Sequence, residues 1–246
     1  MTPSYIKKIS LLIILGLVQF LGYTQQLSID VNQQLSTSNF SVNAYDPATV
    51  GSKKVSLLSY TDISGSPYWT DNWLSALFFM HNGKIYQINK ARLNLFTGEV
   101  HFLNLENEEL AVEANQLDSI IFKNSKDSTK VLATFKSLYD PTKNAKSFYQ
   151  TLNSGENQLL LLKKYFIKTG DYNALQGKTE SSFYQKTSYG IFHYGMLDLV
   201  ESLDQKNICT ALNVSDEIKN WLGANKNKLR NEKEVITFLT YLNSTH

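Results

Sequence analysis

Four histidines are the side chains of this sequence best suited to acid–base chemistry or metal binding near neutral pH. They are His81, His101, His193 and His246, and no two of them share an H-x-H, H-E-x-x-H or mixed Cys/His spacing. A metal site would therefore require the fold to bring two of them together. His81 comes directly before Asn82-Gly83, a position that predicts a solvent-exposed strand end.

The sequence contains no G-x-S-x-G elbow, P-loop or G-x-G-x-x-G, so the enzyme classes that these motifs define lose support. Glu106, Glu108 and Glu109 are candidates for a glycosidase carboxylate pair, but they lie in a polar turn where solvated side chains are expected. Cys209, the single cysteine, stands in the apolar run Ile208–Leu212, which predicts a buried, unreactive thiol and excludes an intramolecular disulfide. We therefore expect a non-enzymatic protein with no cofactor and no metal. A hydrolytic enzyme of unrecognised type is the alternative.

The most distinctive stretch of the chain is Gly65-Ser66-Pro67-Tyr68-Trp69-Thr70-Asp71-Asn72-Trp73. Its Gly-Ser-Pro sets a turn, and three large aromatic residues follow closely. One interpretation is that Tyr68, Trp69 and Trp73 are exposed ligand-binding residues that stack on sugar rings or fill a pocket of a partner. The favoured interpretation is that the loop folds back and its aromatic side chains plug one end of the sheet.

Residues 1–24 have the pattern of a secretory signal peptide. Lys7 and Lys8 precede an apolar run of about 13 residues, which is too short to span a bilayer. Gly22 and Thr24 then offer the small residues of a cleavage site. The pattern predicts an exported protein, periplasmic or secreted, with no transmembrane segment after cleavage.

The charges of the chain are balanced but unevenly distributed. Two of the 24 Lys and Arg residues lie in the leader, so the rest balance the 22 Asp and Glu residues. Such a chain lacks the electrostatic footprint of a nucleic-acid-binding protein. Residues 122–186 carry 11 lysines against 5 acids, whereas residues 99–118 carry only acids. Two solvated faces of one sheet are the favoured interpretation, and an anionic ligand or partner on the lysine-rich side is the alternative.

The fold class predicted is α+β, mainly β. Residues 25–50 form a polar lead-in, and residues 51–200 an antiparallel β meander of roughly ten strands that curls into an open barrel or roll. Asn82-Gly83, Thr97-Gly98 and Asn153–Glu156 are predicted hairpin turns. Residues 168–180 are polar and predict a loop. A last β pair is predicted for residues 183–189 and 191–199.

Residues 201–246 predict a helical segment packed on the sheet. Ser215 is a candidate N-cap, with acids following in the first turn. Asn231 and Glu234 have the spacing of a capping box. A shorter helix is expected within residues 201–212.

Three pieces of the sequence together resemble a group of uncharacterised exported proteins of Bacteroidota. They are Gly65-Ser66-Pro67-Tyr68, then Asn82-Gly83-Lys84 with Arg92-Leu93-Asn94-Leu95-Phe96-Thr97, and the helical ending at residues 217–243. The resemblance implies an envelope or secreted protein of a Gram-negative bacterium. It brings no activity and no catalytic or binding residues.

The expected function is therefore binding of another envelope protein, a glycan or a lipid. An apolar cavity within the sheet would favour a lipid ligand. Exposed aromatic residues on a surface would favour a glycan or a protein.

Overall fold

The computed structural model describes residues 51–55, 60, 63–125, 127, 129–173 and 178–245. The predicted signal peptide, residues 1–24, and the predicted polar lead-in, residues 25–50, lie outside these residues.

The fold is mainly β with a helical C-terminal segment, as the sequence predicts. Twelve strands within the described residues form one sheet. They are β1 (Lys53–Lys54), β2 (Ile63–Ser64), β3 (Leu74–Met80), β4 (Ile85–Asn94), β5 (Glu99–Leu103), β6 (Glu109–Glu113), β7 (Leu117–Lys123), β8 (Val131–Asp140), β9 (Ala145–Thr151), β10 (Gln158–Asn173), β11 (Lys178–His193) and β12 (Met196–Val200). The sheet is not closed, which is consistent with an open roll.

The sheet consists of two meanders joined at its centre. Strands run in the order β1-β6-β5-β4-β3-β7-β8-β9-β10-β11-β12, so β7 returns beside β3 rather than continuing past β6. The apolar residues of the central strands, β3 and β7, explain why the sheet is not one continuous meander. Leu77 pairs with Ile121 on one face, and Ala76 with Phe122 on the other, and all four are buried. Strands that are apolar on both faces belong in the interior of a sheet, where both faces are covered.

The predicted hairpin turns are confirmed. Asn82-Gly83 joins β3 to β4, and Thr97-Gly98 joins β4 to β5. Gly83 and Gly98 have φ angles of +80° and +75°, the left-handed region that glycine adopts without strain. The turn at residues 153–156 joins β9 to β10.

The predicted loop at residues 168–180 is wrong for residues 168–173 and 178–180. Strands β10 and β11 each continue for 16 residues and form a long ribbon, which β2 joins as a parallel strand at Ser181 and Ser182. Thr169 pairs with Ser181 and Lys168 with Ser182 along this ribbon, and Thr169 and Lys168 are exposed. A polar stretch reads as a loop when hydrophobic alternation is the criterion, but a ribbon with solvent on both sides needs no such alternation.

The turn of the predicted last β pair is placed wrongly by the sequence. Gly190 lies inside β11, and the chain reverses at Tyr194-Gly195 instead, with φ angles of +46° and +78°. Residues 85–88 and 92–94 belong to one strand, β4, although the sequence suggests two separate pieces. The apolar pattern is interrupted at Asn89-Lys90 because β4 shifts register against β3 there.

The main core lies on the face of the sheet that carries Phe78, Phe102, Phe122 and Phe135. These rings meet edge to face, with centroids 5.7 Å apart for Phe78–Phe102 and 5.8 Å for Phe122–Phe135. Edge-to-face contacts add to the free energy of apolar burial. Aromatic packing thus contributes to the stability of a chain whose single cysteine excludes an intramolecular disulfide.

Three helices follow the sheet within the described residues: α1 (Gln205–Ala211), α2 (Asp216–Ala224) and α3 (Glu232–Ser244). The Asn231 N-cap of α3 is confirmed, since Asn231 Oδ1 accepts from the Glu234 amide at 3.0 Å, while the Glu234 carboxylate accepts from the Arg230 amide and from Asn231 Nδ2. Ser215 occupies the N-cap of α2, but its side chain makes no capping hydrogen bond.

Helix α3 packs on β10 and joins a second core around Leu159, Ile191 and Phe238. Its end is fastened to the β9–β10 turn by Asn243, whose Oδ1 accepts from the Asn157 amide at 2.9 Å. No helix among the described residues is long and apolar enough to cross a membrane.

Candidate functional site

A cleft of about 560 Å³ lies on the reverse face of β4, β5 and β6, opposite the main core. Its volume is within the range of pockets that hold small ligands. Its lining includes Lys53, Lys54, Tyr60, Tyr68, Arg92, Thr97, Glu99, His101 and Glu109.

Strand alternation places these side chains together. Leu93, Val100 and Phe102 point into the core, so their neighbours on each strand point the other way. The register aligns Arg92 with His101 across β4 and β5. It then aligns His101 with Ala111, and Ala111 with Lys53 on β1. One cross-strand row thus brings residues from four strands to the cleft.

The centre of the cleft is a carboxylate shared by two basic side chains. Glu109 Oε1 accepts from Arg92 at 2.9 Å and lies 2.8 Å from His101 Nδ1. Burial works to raise the pKa of Glu109, but the hydrogen bonds and charges of Arg92 and His101 outweigh it and lower that pKa. Glu109 is therefore an ionised, orienting partner for both side chains.

Arg92 is held between two aromatic rings. Its guanidinium carbon lies 3.8 Å from the centroid of Tyr68 and 4.2 Å from that of Trp73. Cation–π contacts of this kind stabilise a partly desolvated guanidinium. The Nε of Arg92 is buried and has no hydrogen-bond partner within the described part of the chain.

The Gly65–Trp73 segment is tied to β4 by its backbone. The Trp69 amide donates to the Leu93 carbonyl at 2.8 Å, and the Leu95 amide donates to the Pro67 carbonyl at 2.7 Å. The Tyr68 hydroxyl lies 3.4 Å from His101 Nδ1. Burial raises the pKa of Tyr68 to about 12, so the hydroxyl stays protonated at neutral pH.

The three aromatic residues singled out in the sequence take three different positions. Tyr68 lines the cleft, and Trp73 lies behind it on Arg92. Trp69 packs into the main core, with its ring 5.6 Å from Phe122 and 5.3 Å from Phe135. The assignment of these residues to ligand binding stays a prediction.

The lysines of the cleft are already paired with acids. Lys53 Nζ lies 2.6 Å from Glu99 and 3.0 Å from Glu113, and Lys54 Nζ lies 3.0 Å from Glu108. These contacts join β1 to β5, to β6 and to the β5–β6 turn. The rim of the cleft therefore has little net charge.

His101 is the site residue that the sequence identifies least clearly. Its side chain is only 4% exposed, and its Nε2 has no hydrogen-bond partner among the described residues, with Glu99 at 3.9 Å. The alternation of His101 with Val100 and Phe102 indicates that its side chain points away from the core. This alternation does not distinguish a residue in a cleft from one on an open surface. Glu109 is partly buried rather than solvated, because Arg92 and His101 hold it.

His81, His193 and Cys209 do not line the cleft, and His246 lies outside the described residues. His81 is exposed, as predicted, and pairs with Asp118 at 2.9 Å. His193 pairs with Asp198 at 3.0 Å beside the Tyr194-Gly195 turn. No three metal-ligating side chains converge among the residues that the structure describes. Burial raises the pKa of Cys209, which is the environment of an unreactive thiol.

Comparison of the chain with protein-family models, with curated protein sequences and with solved structures gives no match in any of the three.

Proposed function

We propose that this protein is an exported, non-enzymatic binding module of the cell envelope whose cleft holds a neutral, polyhydroxylated ligand, that is, a glycan. Export is inferred from the leader pattern of residues 1–24. The choice of a glycan over a lipid is supported by the lining of the cleft, which is rich in ionised and hydrogen-bonding side chains.

The observation that carries the proposal is the pair of unpartnered nitrogens in the lining residues. His101 Nε2 and Arg92 Nε are both buried without a hydrogen bond among the described residues. A buried polar atom without a partner costs free energy, and a ligand hydroxyl that displaces the side chains covering the atom recovers it. A hydroxyl group suits both nitrogens, because it accepts from Arg92 Nε and either donates to or accepts from His101 Nε2.

The charges of the cleft favour a neutral ligand. Lys53 and Arg92 are already paired with Glu99 and Glu109. A charged ligand would have to break one of these ion pairs, whereas a hydroxyl group can join the existing network. Tyr60 and Tyr68 add aromatic surface to the cleft, as sugar rings require.

The test is a screen of the purified protein against neutral oligosaccharides, followed by calorimetric titration of those that bind. Thr97 lines the cleft and is exposed in the β4–β5 turn, so Thr97→Trp should fill the cleft without disturbing the core. We expect this variant to lose at least tenfold in affinity. Thr187→Trp, at an exposed position of β11, is the matched control and should bind normally. The proposal fails if no neutral glycan binds, or if Thr97→Trp binds as tightly as Thr187→Trp.

A hydrolytic enzyme is the second candidate, and one observation favours it. Glu109 orients His101 at 2.8 Å, and the Tyr68 hydroxyl lies 3.4 Å from the same nitrogen. These are the residue types of an orienting carboxylate, a base and a hydroxyl, but both contacts use Nδ1, so the base of such an enzyme would be His101 Nε2 and the tyrosine would not be its nucleophile. This candidate ranks second because the pKa of Tyr68 is raised to about 12, which is the opposite of an activated nucleophile. Turnover of chromogenic esters or glycosides that disappears in His101→Gln would reverse this order.

A further inference from the structure

A group of lysines outside the cleft is a second feature that suggests a ligand. Lys164 of β10 and Lys186 of β11 are paired directly across the ribbon. Directly paired residues lie on one face of a sheet, with Cβ atoms about 5 Å apart. Lys143, in the turn between β8 and β9, is close enough to Lys164 for their charges to repel. We call Lys143, Lys164 and Lys186 the lysine cluster.

One buried carboxylate compensates only part of the charge of the lysine cluster. Lys164 Nζ lies 2.6 Å from Asp140 Oδ2, and the Asp140 side chain is 1% exposed. Its other oxygen accepts from the amide and the hydroxyl of Thr142, at 3.0 and 2.6 Å. Asp140 is thus committed to holding the turn and Lys164 in place, and no ion pair joins it to Lys143 or Lys186 among the described residues.

The pKa of Lys143 is affected by the other charges of the lysine cluster. Partial desolvation of its amine, together with the charge of Lys164, lowers the pKa of Lys143. Like charges placed directly opposite each other on a sheet are destabilising in themselves. An anion between these amines would relieve the repulsion.

An apolar surface adjoins the lysine cluster. Phe166 and Tyr184 are paired across the ribbon next to Lys164 and Lys186, and their ring centroids lie 5.5 Å apart. Each of the two side chains is 38% exposed, and Lys186 Nζ lies 5.2 Å from the Phe166 ring. A ligand whose anionic group meets the lysines would therefore place its remaining part on aromatic surface.

We propose that the lysine cluster binds a terminal phosphate group, either of a phosphate monoester or of inorganic phosphate. Three ammonium groups and one carboxylate leave a net charge of two, which a phosphate monoester dianion matches. Its three terminal oxygens can accept from three separate amines. The phosphate group is the chemistry that the cluster recognises. It can belong to free phosphate, to a phosphorylated sugar or to a lipid headgroup.

Three probes distinguish these sources with the purified protein. They are inorganic phosphate, glucose 1-phosphate, and vesicles of zwitterionic lipid with and without phosphatidic acid. Binding of both soluble probes would identify the phosphate group itself. Binding of glucose 1-phosphate alone would identify a phosphorylated sugar, and binding of the acidic vesicles alone a lipid headgroup. The proposal is overturned if none of the three binds at up to about 10 mM phosphate groups.

Substitutions locate the binding. Lys143 and Lys186 are exposed, so Lys143→Gln and Lys186→Gln should fold normally, whereas Lys164 is needed by the buried Asp140. We expect each exchange to weaken binding about five- to tenfold, and the double variant to abolish it. Lys90→Gln, an exposed lysine of β4, is the matched control and should bind like the unaltered protein. Equal losses in Lys90→Gln and Lys186→Gln would mean diffuse attraction to a basic surface, and would refute the site.

Discussion

The carboxylate of Glu109 is the most informative single group to perturb, because two basic side chains depend on it. Its Oε1 meets Arg92 at 2.9 Å and His101 at 2.8 Å. Glu109→Gln keeps the shape and one acceptor oxygen but removes the charge. The exchange therefore isolates the electrostatic part of the contact.

The expected loss follows from the two hydrogen bonds. A hydrogen bond to a charged group contributes about 1 kcal/mol more than a neutral one, so two bonds give about 2 kcal/mol. Breaking a fully buried ion pair costs about 3–5 kcal/mol. The side chains of Arg92 and Glu109 are 19% and 24% exposed, so partial hydration favours the smaller figure. For a protein of this size about 2 kcal/mol lowers the Tm by roughly 4–8 °C.

The assay is urea denaturation of both proteins at several pH values. The pKa of Glu109 is lowered in the folded protein, so its contribution is present above the unfolded value of about 4.3 and is lost as the pH falls through the folded value. The difference between the unaltered protein and Glu109→Gln should thus be about 2 kcal/mol at pH 7 and should shrink as the pH falls below the unfolded value and through the lowered folded value.

The matched control is Glu106→Gln, an exposed position in the same β5–β6 turn, which should change stability by less than about 0.5 kcal/mol. The reasoning is refuted if Glu109→Gln resembles Glu106→Gln at pH 7. It is equally refuted if the loss persists unchanged at low pH.

Two further predictions separate structural from functional roles. Trp69→Ala should lose about 3 kcal/mol because its partly buried ring packs against the main core, whereas Trp73→Ala, which removes one face of the Arg92 contact, should lose about 1–2 kcal/mol. Equal shifts in thermal melting would contradict this distinction. Asn231→Ala should cost about 1 kcal/mol by removing the N-cap of α3, while Ser215→Ala should be nearly neutral, because the Ser215 side chain makes no capping hydrogen bond. Urea denaturation measures both, and a larger loss for Ser215→Ala would show that the caps are wrongly assigned.

Local signals in the sequence were sufficient for the parts of the fold that local chemistry controls. The Asn82-Gly83 turn and the N-cap at Asn231 are short-range patterns with one structural solution. The return of β7 to the side of β3 is different. It depends on the burial of both faces of this strand pair, one carrying Leu77 and Ile121 and the other Ala76 and Phe122, and no turn signal encodes that burial. Hydrophobic alternation was likewise uninformative for the β10–β11 ribbon, which has little apolar surface to bury near Thr169.

The sequence predicts single residues of the cleft but not how they come together. Alternation along β5 places His101 opposite the core face, but its partners come from β4, β6 and β1. The contact between Lys53 and Glu99 depends on strand pairing that is remote in sequence. The Gly65–Trp73 stretch attracted attention for its composition, and composition alone does not reveal that Tyr68 and Trp69 lie on opposite sides of the chain.

The central claim, that the cleft holds a neutral glycan, is tested most directly by amide chemical-shift mapping. The isotopically labelled protein would be titrated with the neutral oligosaccharide that binds best in the screen. The account predicts that the largest shifts fall at Lys53, Tyr68, Thr97 and His101, with the β10–β11 ribbon beyond Phe166 unchanged. Shifts confined to the ribbon or to the helices, with the amides of the cleft unmoved at saturation, would contradict it.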